Sequence, residues 1–152
     1  MSEVDSIDEI LELAVAREEE ANLLYKDLAK RAKDPAVRIV LEKFADEELE
    51  HKAKLELEIM KAGKVVTTAE IPVNFKIEDY VEDTAGIADM NYEQLLLVAI
   101  AKEKRSVRFY IELALLVQDK DARETLISLA EEEARHEARF QMEYDYLSPS
   151  KD

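Results

Sequence analysis

Slid by 85 residues, the chain lies over itself, with Glu9–Leu57 falling on Gln94–Met142 without a gap. Ala14, Ala16, Glu18, Tyr25, Leu28 and Ala29 coincide with Ala99, Ala101, Glu103, Tyr110, Leu113 and Ala114. Asp34, Arg38, Leu41, Ala45, Glu47, Glu48, His51 and Ala53 coincide with Asp119, Arg123, Leu126, Ala130, Glu132, Glu133, His136 and Ala138. Such self-similarity means two copies of one supersecondary unit, packed so that each buries the other's apolar face. The two histidines of the chain are twins in this register. Each follows a glutamate by three residues, Glu48 before His51 and Glu133 before His136.

Each copy reads as a helical hairpin. Ser6 and Glu9 have capping-box spacing and open a pattern of helical period that covers about 7–32. Asp34 as N-cap, with Pro35 in the first turn, starts a second helix over about 35–61, with Gly63 as its C-terminal cap. Asn91 and Gln94 open a third over about 92–118, and a fourth over about 121–147 starts near Asp119–Asp121 and stops before Pro149. With only two glycines and three prolines, an all-α fold is expected. Residues 62–91 break the pattern, being richer in β-branched residues, with a short helix expected near Phe75–Val81. A helix of about 26 residues is about 39 Å long, and a connection of this size can cross that distance. The expected architecture is one domain over 1–152: two hairpins joined by one long crossover, as in ferritin-like four-helix bundles.

Charge narrows the partners. A formal net charge of −15 argues against a nucleic-acid backbone or an anionic membrane surface. Without cysteine there are no disulfides, thiolate metal sites or iron–sulfur clusters. "MSEVDSIDEI" has no apolar signal core, and no apolar run approaches membrane-spanning length, so a cytoplasmic protein is the expectation.

Alternating steps of four and three give the inward stripe of each helix. They are Ile7, Leu11, Ala14, Glu18, Ala21, Tyr25, Leu28, Ala32 in the first and Val37, Leu41, Phe44, Glu48, His51, Leu55 in the second. The third has Tyr92, Leu96, Ala99, Glu103, Ser106, Tyr110, Leu113, Val117, and the fourth Ala122, Leu126, Leu129, Glu133, His136, Phe140. Polar groups interrupt all four stripes at one level. Each buried ion costs several kcal/mol even after relaxation, mutual repulsion adds to that, and the stripes carry no Lys or Arg here. Two divalent cations would cancel four carboxylates, with two neutral imidazoles as nitrogen ligands. One Glu from each of two helices, plus Glu-x-x-His from the other two, is also the ligand set of dinuclear iron and manganese carboxylate bundles. The candidate ligands are therefore Glu18, Glu48, His51, Glu103, Glu133 and His136.

Neighbouring acids read otherwise. Glu19, Glu20, Glu131 and Glu132 look like a solvated charge run. Glu47 and Glu132, four residues before the histidines, are the rival ligands. Tyr25 and Tyr110 are either plain core residues or donors to a ligand on another helix.

At these residues the chain resembles the di-iron domain of rubrerythrins and related ferritin-like proteins. "EEEANLLY" and "EKRSVRFY" look like that family's first and third ligand helices, and "EELEH" and "EEARH" carry its paired Glu-x-x-His. The resemblance implies a non-haem di-iron site that reduces hydrogen peroxide or dioxygen, commonly in a homodimer. Two departures stand out. Rubrerythrins commonly carry a cysteine-ligated rubredoxin-like domain, whereas here the electrons would come from a separate, rubredoxin-type donor. They also use an extra glutamate one turn after the third-helix ligand, where this chain has Ser106. Two functions follow as expectations: a di-iron peroxidase or oxidase, with manganese as the other metal, or a ferritin-like ferroxidase and iron-storage module.

Overall fold

A computed structural model describes residues 7–61 and 89–147. Four helices, α1 (Ile7–Arg31), α2 (Pro35–Met60), α3 (Tyr92–Leu116) and α4 (Lys120–Leu147), make up these residues, which include no strand. None of the helices is long and apolar enough to cross a membrane. Helix α1 packs along α2 and α3 along α4, giving the four-helix bundle of paired hairpins expected from the repeat. The expected crossover over 62–91, including its short helix near Phe75–Val81, falls almost wholly outside the described residues, as do Ser6 and Gly63.

The two hairpin turns are built alike. The Asp34 side chain accepts from the backbone N–H of Ala36 at 2.9 Å, and that of Asp119 from Ala122 at 2.9 Å, closing the first turns of α2 and α4. Arg38 donates to the Ala32 carbonyl at 3.0 Å, and its twin Arg123 donates to the Val117 carbonyl at 2.6 and 3.1 Å. Helix α3 stops two residues short of the expected end because Val117 turns extended, at φ −94° and ψ 130°, and buries its side chain. At its start Asn91 and Gln94 form the expected capping box.

Two apolar clusters sit one at each end of the bundle. The first joins the start of α1 (Ile10, Leu11, Ala14) to the end of α3 (Tyr110, Leu113) and the start of α4 (Leu126, Leu129), with Leu55 from α2. The second joins the end of α1 (Tyr25, Leu28) to the starts of α2 (Val37, Leu41) and α3 (Leu95, Leu96), with Phe140 from α4. So α1 runs antiparallel to α3, and α2 ends where α3 does not begin. Each fully buried Leu, Ile or Phe contributes roughly 1.5–3 kcal/mol. Between the two clusters lies a polar layer. From Leu11 onward every residue of the four expected stripes is buried, except Phe44 and Tyr92, which are half-buried.

Candidate metal centre

Glu18, Glu48, His51, Glu103, Glu133 and His136 converge in that layer, none more than 2% exposed. Their atoms form two overlapping groups: Glu18, Glu48, His51 and Glu133, and Glu48, Glu103, Glu133 and His136. Within each group one ligand atom per residue lies within 4.8 Å of the others. Glu48 and Glu133 belong to both groups, while a terminal carboxylate and an imidazole belong to each alone. The geometry follows from the helix. Residues three apart share a face, so Glu-x-x-His sends its carboxylate and ring to one point.

Both rings present Nδ1 to the cluster. His136 Nδ1 is 2.9 Å from Glu103, 3.0 Å from Glu48 and 3.4 Å from Glu133. His51 Nδ1 is 3.4 Å from Glu133, 3.5 Å from Glu18 and 3.7 Å from Glu48. The far nitrogens point to the two glutamates that sequence reasoning left as rival ligands. His51 Nε2 meets Glu132 at 3.0 Å and His136 Nε2 meets Glu47 at 2.7 Å, each partner lying on the opposite helix. Neither acid joins the central groups. Instead each can accept the Nε2 proton, which fixes the tautomer and leaves Nδ1 as a lone-pair donor. Their half-burial corrects the reading of Glu132 as part of a solvated run, whereas Glu19, Glu20 and Glu131 are exposed as expected. The signal was available. A glutamate four before each histidine, repeated in both copies, places one acid beside the other helix's ring.

The two tyrosines differ. The Tyr110 hydroxyl donates to Glu18 at 2.5 Å, from α3 to α1. Its twin Tyr25 is fully buried, yet its hydroxyl closes no hydrogen bond. It packs edge-on to His136, with ring centroids 6.4 Å apart. Nearby cations also escaped the sequence reading. Arg17 and its twin Lys102 are buried just beside the stripes, where Arg17 donates to Ser106 at 3.0 Å and Lys102 pairs with Glu20 at 3.6 Å.

The centre attracts positive charge. Burial, then the charges of Glu133, Glu18 and Glu103, push the Glu48 carboxyl well above the usual carboxylate range. Burial and Glu133 push Glu103 up to about 8 despite the nearby His136. For the histidines burial acts downward, but the nearness of the Glu133 and Glu18 carboxylates carries His51 up to about 11. Hydrogen bonds to Glu103 and Glu133 likewise carry His136 to about 10. Burial opposes ionisation of Glu133, yet the close approach of His136, His51 and Glu48 holds it below the usual range. Without metal both imidazoles would thus carry a second proton at neutral pH, the response of rings set among four carboxylates.

Several buried polar atoms in the layer lie close to one another without closing a well-formed hydrogen bond: Glu18 Oε2, both oxygens of Glu48 and of Glu133, Glu103 Oε1 and His51 Nδ1. All belong to the six converging residues. Orphaned atoms of this kind are rare and demand an occupant. A donor set of carboxylate oxygens and two imidazole nitrogens, without thiolate, suits a metal such as iron.

The rubrerythrin family model matches residues 9–144. This chain belongs to the rubrerythrin family. The match takes in all six converging residues and both hairpins. Among solved structures, a hypothetical protein from Pyrococcus furiosus is similar, with a TM-score of 0.73 and 24% identity over 97% of this chain and 93% of that one. At that identity the likeness shows the fold. Among curated proteins none matches. Ser106 is buried one turn past Glu103 with Arg17 bonded to its hydroxyl.

Proposed function

We propose that the polar layer holds two metal ions, iron or else manganese, and that the protein is a non-haem redox protein reducing hydrogen peroxide or dioxygen. The supporting observation is the sharing of Glu48 and Glu133 between two groups that each have their own glutamate and histidine. Glu48 and Glu133 serve both ions, Glu18 and His51 complete one position, and Glu103 and His136 complete the other. When bound, the metal pair supplies two electrons, one from each ion, to a small oxidant.

The chain's own residues set the conditions for that chemistry. Glu47 and Glu132 orient the imidazoles through Nε2 and raise their basicity at Nδ1. Tyr110 holds one oxygen of Glu18, leaving the other to face the centre. Tyr25 keeps its phenolic proton, since burial and the surrounding carboxylates push it well above the usual tyrosine range. The apolar clusters on either side keep bulk water from the layer, which strengthens every charge interaction within it. The proposal includes a homodimer, as the family resemblance implies, a separate electron donor of rubredoxin type, since the chain has no cysteine, and a cytoplasmic setting.

The test is anaerobic loading of metal-free protein with ferrous iron, followed by peroxide or dioxygen with a reductant. About two ions per chain and repeated turnover support the reading. A site that takes no metal, or a loaded site inert to both oxidants, overturns it. Oxidation only in stoichiometric amounts, in a large shell seen by light scattering, would favour iron storage instead.

A further inference from the structure

The six converging residues are sealed from solvent, so a cation entering the layer must pass between helices. One cleft is placed for this. Between the end of α2 and the start of α4 lies an opening of about 440 Å³ whose lining includes Lys54, Glu58, Asp121, Glu124 and Ser128. Glu58 is only 4% exposed, and its Oε1 has no hydrogen-bond partner, while Lys61 holds Oε2 at 3.2 Å. A buried carboxylate oxygen left in this state is costly unless something binds it.

Its twin at the other end is arranged differently. Glu143, 85 residues on, is only half-buried and accepts the Tyr92 hydroxyl at 3.0 Å on one oxygen, so it leaves no sealed, unpartnered carboxylate oxygen. The Glu58 end also connects to the centre through side chains lining the cleft. Lys54 and Ser128 both reach Glu132 Oε2 at 3.5 Å, and Glu132 Oε1 meets His51 Nε2 at 3.0 Å.

We propose that this cleft binds a hydrated divalent cation through Glu58, with Asp121 and Glu124 as outer acids, and passes it to the buried centre. Oxygen-only ligation suits a hard cation that keeps part of its water shell. Asp121 and Glu124 are exposed, so they attract the ion from solution without a heavy desolvation cost. The role rests on the metal centre proposed above, whereas cation binding at the cleft can be read by itself.

The experiment uses the full chain stripped of metal. With the centre first filled by diamagnetic zinc(II), manganese(II) is titrated while amide NMR signals are followed, and in separate metal-free protein cobalt(II) entry into the centre is timed by absorbance. Broadening at Thr125 and Ser128 beyond the tight sites, lost in Glu58→Gln, is expected. In that near-isosteric variant cobalt should load about tenfold more slowly to the same final stoichiometry. Asp121→Asn with Glu124→Gln, both on exposed positions, should slow loading about threefold, and Glu143→Gln should leave the rate unchanged. No broadening at the cleft, or wild-type loading in Glu58→Gln, overturns the proposal. Broadening at the cleft in a protein that takes no tight metal would overturn the dinuclear centre and the delivery role while leaving a cation-binding cleft.

Discussion

The two ends of the bundle carry the same ligands and different surroundings. At the His136 end the ring stacks on Phe44, with centroids 4.1 Å apart, and Phe140 sits against both Phe44 and Tyr25. The positions 85 residues away from Phe44 and Phe140 hold Leu129 and Leu55, so the His51 end is mainly aliphatic around its ring. Glu143 is half-buried with one oxygen on Tyr92, while Glu58 is buried and keeps one unpartnered oxygen. The repeat thus holds the ligand geometry fixed while the packing around it varies. Core volume can be filled by many apolar combinations, whereas ligand atoms have to meet at one point.

That contrast breaks most sharply at the shared carboxylates. Glu48→Ala removes a member of both four-residue groups, while His136→Ala removes a member of one. Metal analysis after anaerobic loading should find fewer than about one ion per chain in the first variant and close to one in the second. Equal retention in the two would mean the groups do not share Glu48, and the dinuclear reading would fail.

Protons compete for the same place, with a definite sign. Glu103 is raised to about 8, so its contribution to stability is complete below the ordinary carboxylate range and lost as pH rises through about 8. His51 and His136, raised to about 11 and about 10, contribute fully below the ordinary imidazole value and lose this at alkaline pH. Glu48 shifts in the same direction, while Glu133 and Glu132, held low, act oppositely, below the usual carboxylate range. The Tm of metal-free protein should therefore fall from about pH 6 to about pH 9, while metal-loaded protein stays nearly flat because cations replace the protons. A metal-free Tm that rises over this interval would show that the imidazoles are not paired with the carboxylates.

A smaller difference is expected between the partners of the two rings. Glu47 meets His136 at 2.7 Å, and Glu132 meets His51 at 3.0 Å while also touching Lys54 and Ser128. Loss of such a partner typically weakens metal binding by about 10- to 100-fold. Glu47→Gln should fall towards the upper part of that range and Glu132→Gln towards the lower, read as apparent dissociation constants by competition with a chelator. If neither variant changes metal affinity, the carboxylate–imidazole contacts serve packing alone.

Much of this was legible in the sequence because it is periodic. The stripes, the six converging residues and both hairpin turns follow from steps of three and four and from one 85-residue shift. Less legible were features that depend on which helix faces which. Glu47 and Glu132 looked like rivals for the metal, since residues four apart also share a face, and only the antiparallel pairing of α2 with α4 sends each to the other's ring. Arg17 lies one residue off its stripe and is buried because α3 covers it there, where it bonds to Ser106. The unequal ends were hidden for the same reason. Glu58 and Glu143 look alike in the repeat, and it takes the fold to bring Tyr92 to one of them.

The tyrosines give the finest test, because sequence treats them as identical. Tyr110 donates to Glu18 at 2.5 Å, so Tyr110→Phe strips a buried carboxylate oxygen of its only hydrogen bond from that direction. Leaving such an acceptor unsatisfied costs about 1–3 kcal/mol. Tyr25 closes no well-formed hydrogen bond, although Glu103 lies near its hydroxyl, so Tyr25→Phe should cost metal-free stability less than Tyr110→Phe does. Denaturant unfolding of the two variants without metal measures the difference directly. If metal loading draws Glu103 into contact with the Tyr25 hydroxyl, the two substitutions should become equally costly in loaded protein. Equal costs before loading would instead mean that the Tyr25 hydroxyl already has a partner, and the asymmetry between the two half-sites would lie only in their apolar surroundings.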